Sequence, residues 1–372
     1  MVAAENEGGS SLTTAAVDDG GDRRAGDPTD RAERVQLPGG RRAGAHLPMG
    51  MGLVRVAERA SEIGASAVQI FSDNPTAWRR RAEVPPEAAA FRQRLRELDI
   101  GPVAIHAAYL VNLAGPDGEM FGKSVAMVRH ELEHAPEFGA KFVNMHVGSH
   151  RGAGLEAGIA RLVDGLERAM DVGQPDKDGP LLVLENSSGG GFTIGATIEE
   201  LATVLDSAAT RGLDHQLAVC LDVAHLWGAG YDVSRPDAID EVLGKFDRLI
   251  GLERLVMIHI NDSLSGLGSR RDHHAHLGEG QIGRAGLAHF VRHPALSHAA
   301  FYLETPLMER GYDAVNVARL GDLAAGRPLT PGPAEPEAVD GDSGTSTGAT
   351  PRLGPRSKPG RPAEPQPGGL TK

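Results

Sequence analysis

The chain has 372 residues, a formal net charge of -12 and a hydrophobic fraction of 40%, an ordinary globular composition that can bury one large core and excludes fibrous or collagen-like classes. No stretch reaches the roughly 18 apolar residues a membrane-spanning helix needs, and the opening MVAAENEGGSS lacks the basic-then-apolar pattern of a secretory signal; a cytoplasmic protein without membrane association is expected. The one cysteine, Cys220, excludes an intrachain disulfide and a cysteine zinc site, so any transition metal has to be held by His, Asp and Glu.

Residues 1–40 carry few large apolar side chains and are expected to form a disordered tail, because little surface is available to offset ordering entropy. Eight short apolar or β-branched runs then follow: RRAGAH ending at His46, AVQIF at Phe71, PVAIH at His106, FVNMH at His146, LLVLE at Glu185, LAVCLD at Asp222, VMIHI around His259 and FYLE at Glu304. Roughly 25 to 45 residues separate them, and the gaps hold helix-period segments such as LVRVAERASEIG, EAAAFRQRLRELD, VAMVRHELEHAPEFG and TIEELATVLDSAA. Eightfold alternation of strand and helix predicts an α/β protein with a single (β/α)8 TIM barrel over residues 41–326. Residues 327–372, dominated by Pro, Gly, Ser and Thr, are expected to be a second disordered tail.

His106, His146, Glu185, Asp222, His259 and Glu304 fall at or near the C-terminal ends of different predicted strands. In a barrel those ends converge on one face, where barrel enzymes place their active sites. One such residue alone is more often structural; six are hard to explain that way, because burying so many ionisable groups without compensation is costly. Metal coordination is the natural compensation. Two local patterns add to it: Asp222 and His225 lie three apart in LDVAHLWGAGYD, and Asp272 and His274 alternate in SRRDHHAHLGEGQIG. Together these make five histidines and four carboxylates, enough donors for more than one ion. Imidazole and carboxylate without sulfur suit zinc, with manganese or iron left open.

The segments GAH at 44–46, IHAAYLVNLAGP at 105–116, VNMHVGSH at 143–150, LENSSGGG at 184–191, LDVAHLWGAGYD at 221–232, HINDS at 259–263, DHHAHLGEGQIG at 272–283 and LETP at 303–306 resemble the endonuclease IV family, the family-2 apurinic/apyrimidinic endonucleases. The resemblance runs from about Arg42 to Leu323. It implies three zinc ions per chain, manganese or iron being possible at one site. The first is held by His106 and His146, with Glu185 bridging to a second held by Asp222, His259 and Glu304; the third is held by His225, Asp272 and His274. It further implies that a water activated between two ions, at the bridging Glu185, attacks the phosphorus 5′ to an abasic sugar. The products would be a 3′-hydroxyl and a 5′-deoxyribose phosphate, with trimming of blocked 3′ ends as a second activity. The partner would be double-stranded DNA carrying abasic sites or blocked 3′ ends, and the protein a monomer acting in base excision repair.

For DNA contacts, Tyr109 and Leu110 occupy the places where the family inserts side chains through the minor groove, although ordinary loop packing explains them nearly as well. Thr76 stands where better-known members carry an inserted arginine. Arg79, Arg80 and Arg81 follow closely and are candidates for phosphate contact, against the alternative of a solvated helix face. The acidic net charge argues against DNA binding, but four carboxylates set against three zinc ions leave the loaded site at about +2. His46, His150 and Asp262 are candidate partners that orient ligands, His273 and His276 surface neighbours of the DHHAH pair, Cys220 a small buried filler, and LGEGQIG a turn. Two rivals stand beside this reading. A sugar isomerase of the xylose-isomerase-like type would need one ion, held by Glu185, Asp222, His259 and Glu304; a non-catalytic lesion-binding protein would keep the fold alone. His106, His146, His225, Asp272 and His274 decide against the first.

Overall fold

The computed structural model describes residues 32–171, 179–306 and 310–333. Eight parallel strands close into a barrel: β1 (Ala43–His46), β2 (Ala67–Ile70), β3 (Val103–His106), β4 (Ala140–His146), β5 (Leu181–Glu185), β6 (Leu217–Asp222), β7 (Leu255–His259) and β10 (Ala300–Leu303), the last pairing with β1. A two-stranded antiparallel pair, β8 (Asp262–Ser263) and β9 (His274–Ala275), is inserted between β7 and β10. All eight barrel strands fall on the runs expected from sequence.

Side chains alternate across a strand, and this alternation builds the site. On β5, Leu182 and Leu184 point out to the helices while Val183 and Glu185 point to the axis; on β6, Ala218, Cys220 and Asp222 point inward. The axis is therefore filled from below by Ala67, Ala104, Phe142, Val183, Ala218, Cys220, Met257, Ala300 and Tyr302. The next inward positions are polar and form the mouth. Gly44 lacks a Cβ that would lie 2.8 Å from the Tyr302 ring, which lets that ring close the interior. Strand register sets inward residues side by side, pairing His146 with Glu185 and Asp222 with His259.

Nine helices surround the barrel among the described residues: α1 (Leu53–Glu62), α2 (Ala88–Glu97), α3 (Gly118–Phe138), α4 (Leu155–Met170), α5 (Ile198–Ala209), α6 (Val223–Ala229), α7 (Pro236–Leu249), α8 (Gly283–Arg292) and α9 (Tyr312–Ala325). On α1, Leu53, Val56, Ala57 and Ala60 form the inward stripe expected of a surface helix. Helix α3 starts a full two turns before the expected apolar run because Asp117 caps it, accepting from the Met120 N–H at 3.0 Å, and Gly139 ends it at φ 68°.

The expected tails are largely outside the described residues, but their inner ends correct the sequence reading. Residues 32–40 pack on the barrel: Leu37 is buried, Val35 lies against Gly321, and Arg34 pairs with Asp99. Beyond 326, Leu329 packs on the core and Thr330 donates to Asp322 through both its N–H and its hydroxyl. A few apolar side chains at the right places suffice to dock segments whose overall composition is polar.

Candidate metal centre at the barrel mouth

Four histidines of the mouth are each oriented through one ring nitrogen and offer the other. His106 Nδ1 lies 2.7 Å from the Ala107 carbonyl, His225 Nδ1 2.9 Å from that of Asn186 and His274 Nδ1 3.1 Å from that of Glu304. A carbonyl only accepts, so Nδ1 carries the proton and Nε2 is the atom free for a proton or a metal. His259 is reversed: Nε2 donates to Gln69 Oε1 at 3.1 Å, and Nδ1 faces Glu185 and Glu304 at 3.2 Å each.

These atoms gather in three overlapping groups in which each residue offers a ligand atom within 4.8 Å of the others: His106 with His146 and Glu185; Glu185 with Asp222, His259 and Glu304; and Asp222 with His225 and His274. Asp272 closes the third group from the solvent side, 3.1 Å from His225 Nε2 and 3.2 Å from His274 Nε2. All nine residues expected from sequence therefore meet. The structure adds that Asp222 reaches two groups, because it also caps α6, accepting from the His225 N–H at 2.7 Å; this fixes the three-residue spacing of Asp222 and His225.

Buried carboxamides hold the carboxylates. Asn144 donates to Glu185 Oε2 at 2.6 Å, Asn261 to Asp222 Oδ2 at 2.9 Å, and Gln69 to Glu304 Oε1 at 2.5 Å. Asn186 clamps the Asp222 backbone, accepting from its N–H at 2.6 Å and donating to its carbonyl at 3.2 Å. Burial opposes ionising Glu185, yet the imidazoles of His259 and His146 and hydrogen bonds from His106 and His225 hold its carboxyl well below the usual range. Asp272 is likewise held down to about 2, against its burial, chiefly by His225. Conversely, burial opposes but Asp222, Asp272 and Glu185 push His225 well above the ordinary imidazole value. Anions packed this densely demand positive charge, which protons supply in the metal-free protein and which cations would replace with proton release. The donor set fits that replacement: His225 Nε2 and His274 Nε2 are buried and converge with the Asp272 carboxylate, as ligands of one cation would.

The groups open into a cavity of about 680 Å³ lined also by Phe71, Tyr109, Leu264, His273 and Pro306. Tyr109, 61% exposed, stands edge-on to Phe71 at 5.2 Å and 5.8 Å from the His106 ring; burial, with Glu304 and Asp272, pushes its hydroxyl up to about 12. Leu110 beside it is partly exposed.

Other expected residues fare differently. Arg79 and Arg81 are exposed on an irregular segment rather than a helix face, Arg81 lying 3.6 Å from Asp73. Arg80 is turned inward: its side chain is 9% exposed, 3.7 Å from the buried Glu131, and it donates to the Asn74 carbonyl. It supports the loop and does not face phosphate. Thr76 is tied into that loop by hydrogen bonds to Asn74 Oδ1. His46 does orient a ligand, sharing Gln69 Nε2 with Glu304. His150 instead accepts from the Gly154 N–H at the start of α4 and packs on Phe192. Asp262 organises the LGEGQIG turn, accepting from the N–H groups of Gly278, Gly280 and Ile282; a Cβ at Gly280 would lie 2.4 Å from its carboxylate. His276 is not at the surface, being buried and stacked on Tyr312 at 3.9 Å. Cys220 is a buried filler below the mouth, its thiol pushed up to about 12 by burial.

A family model described as xylose isomerase-like TIM barrel matches residues 57–321, which agrees with the closed barrel and its polar centre at the strand C-termini. Two curated relatives are named probable endonuclease 4. That of Methanoculleus marisnigri is 38% identical over 76% of this chain and 98% of its own length; that of Halothermothrix orenii is 36% identical over 75% and 99%. The crystal structure of endonuclease IV from Thermus thermophilus superposes with a TM-score of 0.67 at 39% identity, covering 77% of this chain and 99% of that one. The chain belongs to the endonuclease IV family.

Proposed function

We propose that this protein, a hydrolytic AP endonuclease by family, is zinc-dependent and cuts the phosphodiester 5′ to an abasic site, leaving a 3′-hydroxyl and a 5′-deoxyribose phosphate, and that it also trims blocked 3′ ends. The observation that carries the reading is the surplus of donors. Glu185, Asp222, His259 and Glu304 would satisfy one ion, but His225 and His274 turn buried Nε2 atoms toward Asp272 beside them. A single-ion isomerase has no use for these.

His106, His146 and Glu185 would hold one ion, Glu185, Asp222, His259 and Glu304 a second, and His225, Asp272 and His274 a third. Zinc ions there supply Lewis acidity toward a phosphate oxygen and acidify water so that attack proceeds near neutral pH. Glu185, Asp222 and Glu304 are fixed in place by Asn144, Asn261 and Gln69. Tyr109, with Leu110 beside it, projects from the rim, where stacking and insertion would hold an unpaired nucleotide out of the helix. Arg79 and Arg81, the latter 3.6 Å from Asp73, are the exposed cations of the 79–81 run that would meet the DNA backbone. We assign the catalytic domain to residues 41–326 together with the docked flanks 32–40 and 327–330, acting as a monomer in the cytoplasm; no helix among the described residues is long and apolar enough to cross a membrane.

The test is incision of a duplex carrying one abasic site, with end mapping. Cutting on the 5′ side, abolished by a strong chelator and restored by zinc, is the expected result. Zinc-loaded protein that leaves the duplex intact would refute the assignment.

A further inference from the structure

A second group of metal-ligating side chains lies outside the mouth, on the outer ring of helices. Asp240 is on α7; His289 is on α8, and His293 is the residue at which α8 ends. Residues four apart on a helix share one face, and the two imidazoles meet there edge-on, ring centroids 5.4 Å apart. Both turn Nε2 toward the same oxygen: His289 Nε2 is 2.6 Å and His293 Nε2 3.2 Å from Asp240 Oδ1. Ligand atoms of all three lie within 4.8 Å of one another.

We propose that Asp240, His289 and His293 form a separate zinc site that ties α7 to α8. An exposed ion pair would need one histidine and would contribute little; here a second imidazole converges on the same carboxylate oxygen, the arrangement a three-ligand centre requires. Two nitrogens and one carboxylate oxygen without sulfur match zinc, with water in a fourth position. Asp240 is 57% exposed, so that position opens to solvent, whereas His293 is mostly buried. The placement also gives the ion a purpose. The chain between Asp240 and His289 contains His259, Asp272 and His274, so a clip across α7 and α8 closes the loop that carries these three residues of the mouth.

The experiment compares the full chain with His289→Ala after equilibration with zinc chloride and removal of excess metal, reading zinc per chain by mass spectrometry. The variant should retain one ion fewer than the unaltered protein, whatever number the mouth holds. Added zinc should raise the melting temperature of the unaltered protein further than that of the variant, and incision at saturating zinc should be the same for both. Asp240→Asn, at a half-exposed helix position, should lose the same single ion and serves if His289→Ala does not fold. Equal zinc content in the unaltered protein and a folded variant would overturn the proposal.

Discussion

Replacing Gln69 by alanine should weaken the mouth through a side chain that touches no substrate. Gln69 is wholly buried and connects three groups: its amide nitrogen donates to Glu304 Oε1 at 2.5 Å and to His46 Nδ1 at 3.1 Å, while its oxygen accepts from His259 Nε2 at 3.1 Å. Losing one bond to a charged acceptor and two to imidazoles, about 1.5–3 kcal/mol and about 0.5–1.5 kcal/mol each, should lower unfolding free energy by about 2.5–6 kcal/mol. Partners that orient metal-binding imidazoles typically change affinity or activity by about 10–100-fold, and zinc affinity and kcat/KM should fall within that range. Gln69→Glu separates this role from space-filling. It keeps the shape but sets a carboxylate against Glu304, a repulsion of roughly 5 kcal/mol near 3 Å at an effective dielectric of about 20. The two then share one proton, and Glu304 no longer stands as a carboxylate held by a neutral amide donor. Zinc competition against a chromophoric chelator, with steady-state incision alongside, reads both variants. A Gln69→Glu protein with unaltered zinc affinity and activity would refute the reasoning.

Tyr109→Ala should raise KM for abasic duplex by about 5–100-fold, from the loss of about 1–3 kcal/mol of stacking, with kcat at saturation changing less; a pure kcat defect would argue against a rim contact. Arg79→Ala should leave the melting temperature in place and reduce the salt dependence of DNA binding by about one phosphate contact. Arg80→Ala should do the reverse, costing about 1–3 kcal/mol in urea unfolding because Glu131 is left buried with only Ser72 beside it. Asp262→Ala should release four backbone N–H groups of the LGEGQIG turn, those of Gly278, Gly280, Ile282 and Gly283, and lower stability by about 2–4 kcal/mol; protection of those amides from hydrogen exchange is the direct readout.

The eight barrel strands and the mouth were legible because the strands write their inward, period-2 face in sequence and seven of the eight end at or beside an ionisable residue, β2 at Ile70 being the exception. The carboxamides Gln69, Asn144, Asn186 and Asn261 were missed because an uncharged polar residue near a strand end is ordinary. A signal existed: Asn144 stands two residues before His146 and Asn261 two after His259, hence on the same face. The inward turn of Arg80 was not legible, since a basic triplet does not show which member finds a buried carboxylate 51 positions later in the chain. Strands β8 and β9 are two residues each, too short for any periodicity. The docking of Leu37 and Leu329 depends on which barrel surface they meet, and that is set by the fold rather than by local composition.

The most direct measurement is an anomalous difference map at the zinc edge from crystals grown with zinc. Three peaks at the mouth are expected: one among His106, His146 and Glu185, one among Glu185, Asp222, His259 and Glu304, and one among His225, Asp272 and His274. A lone peak at the second position, with Asp272 and His274 bare of metal, would contradict the account.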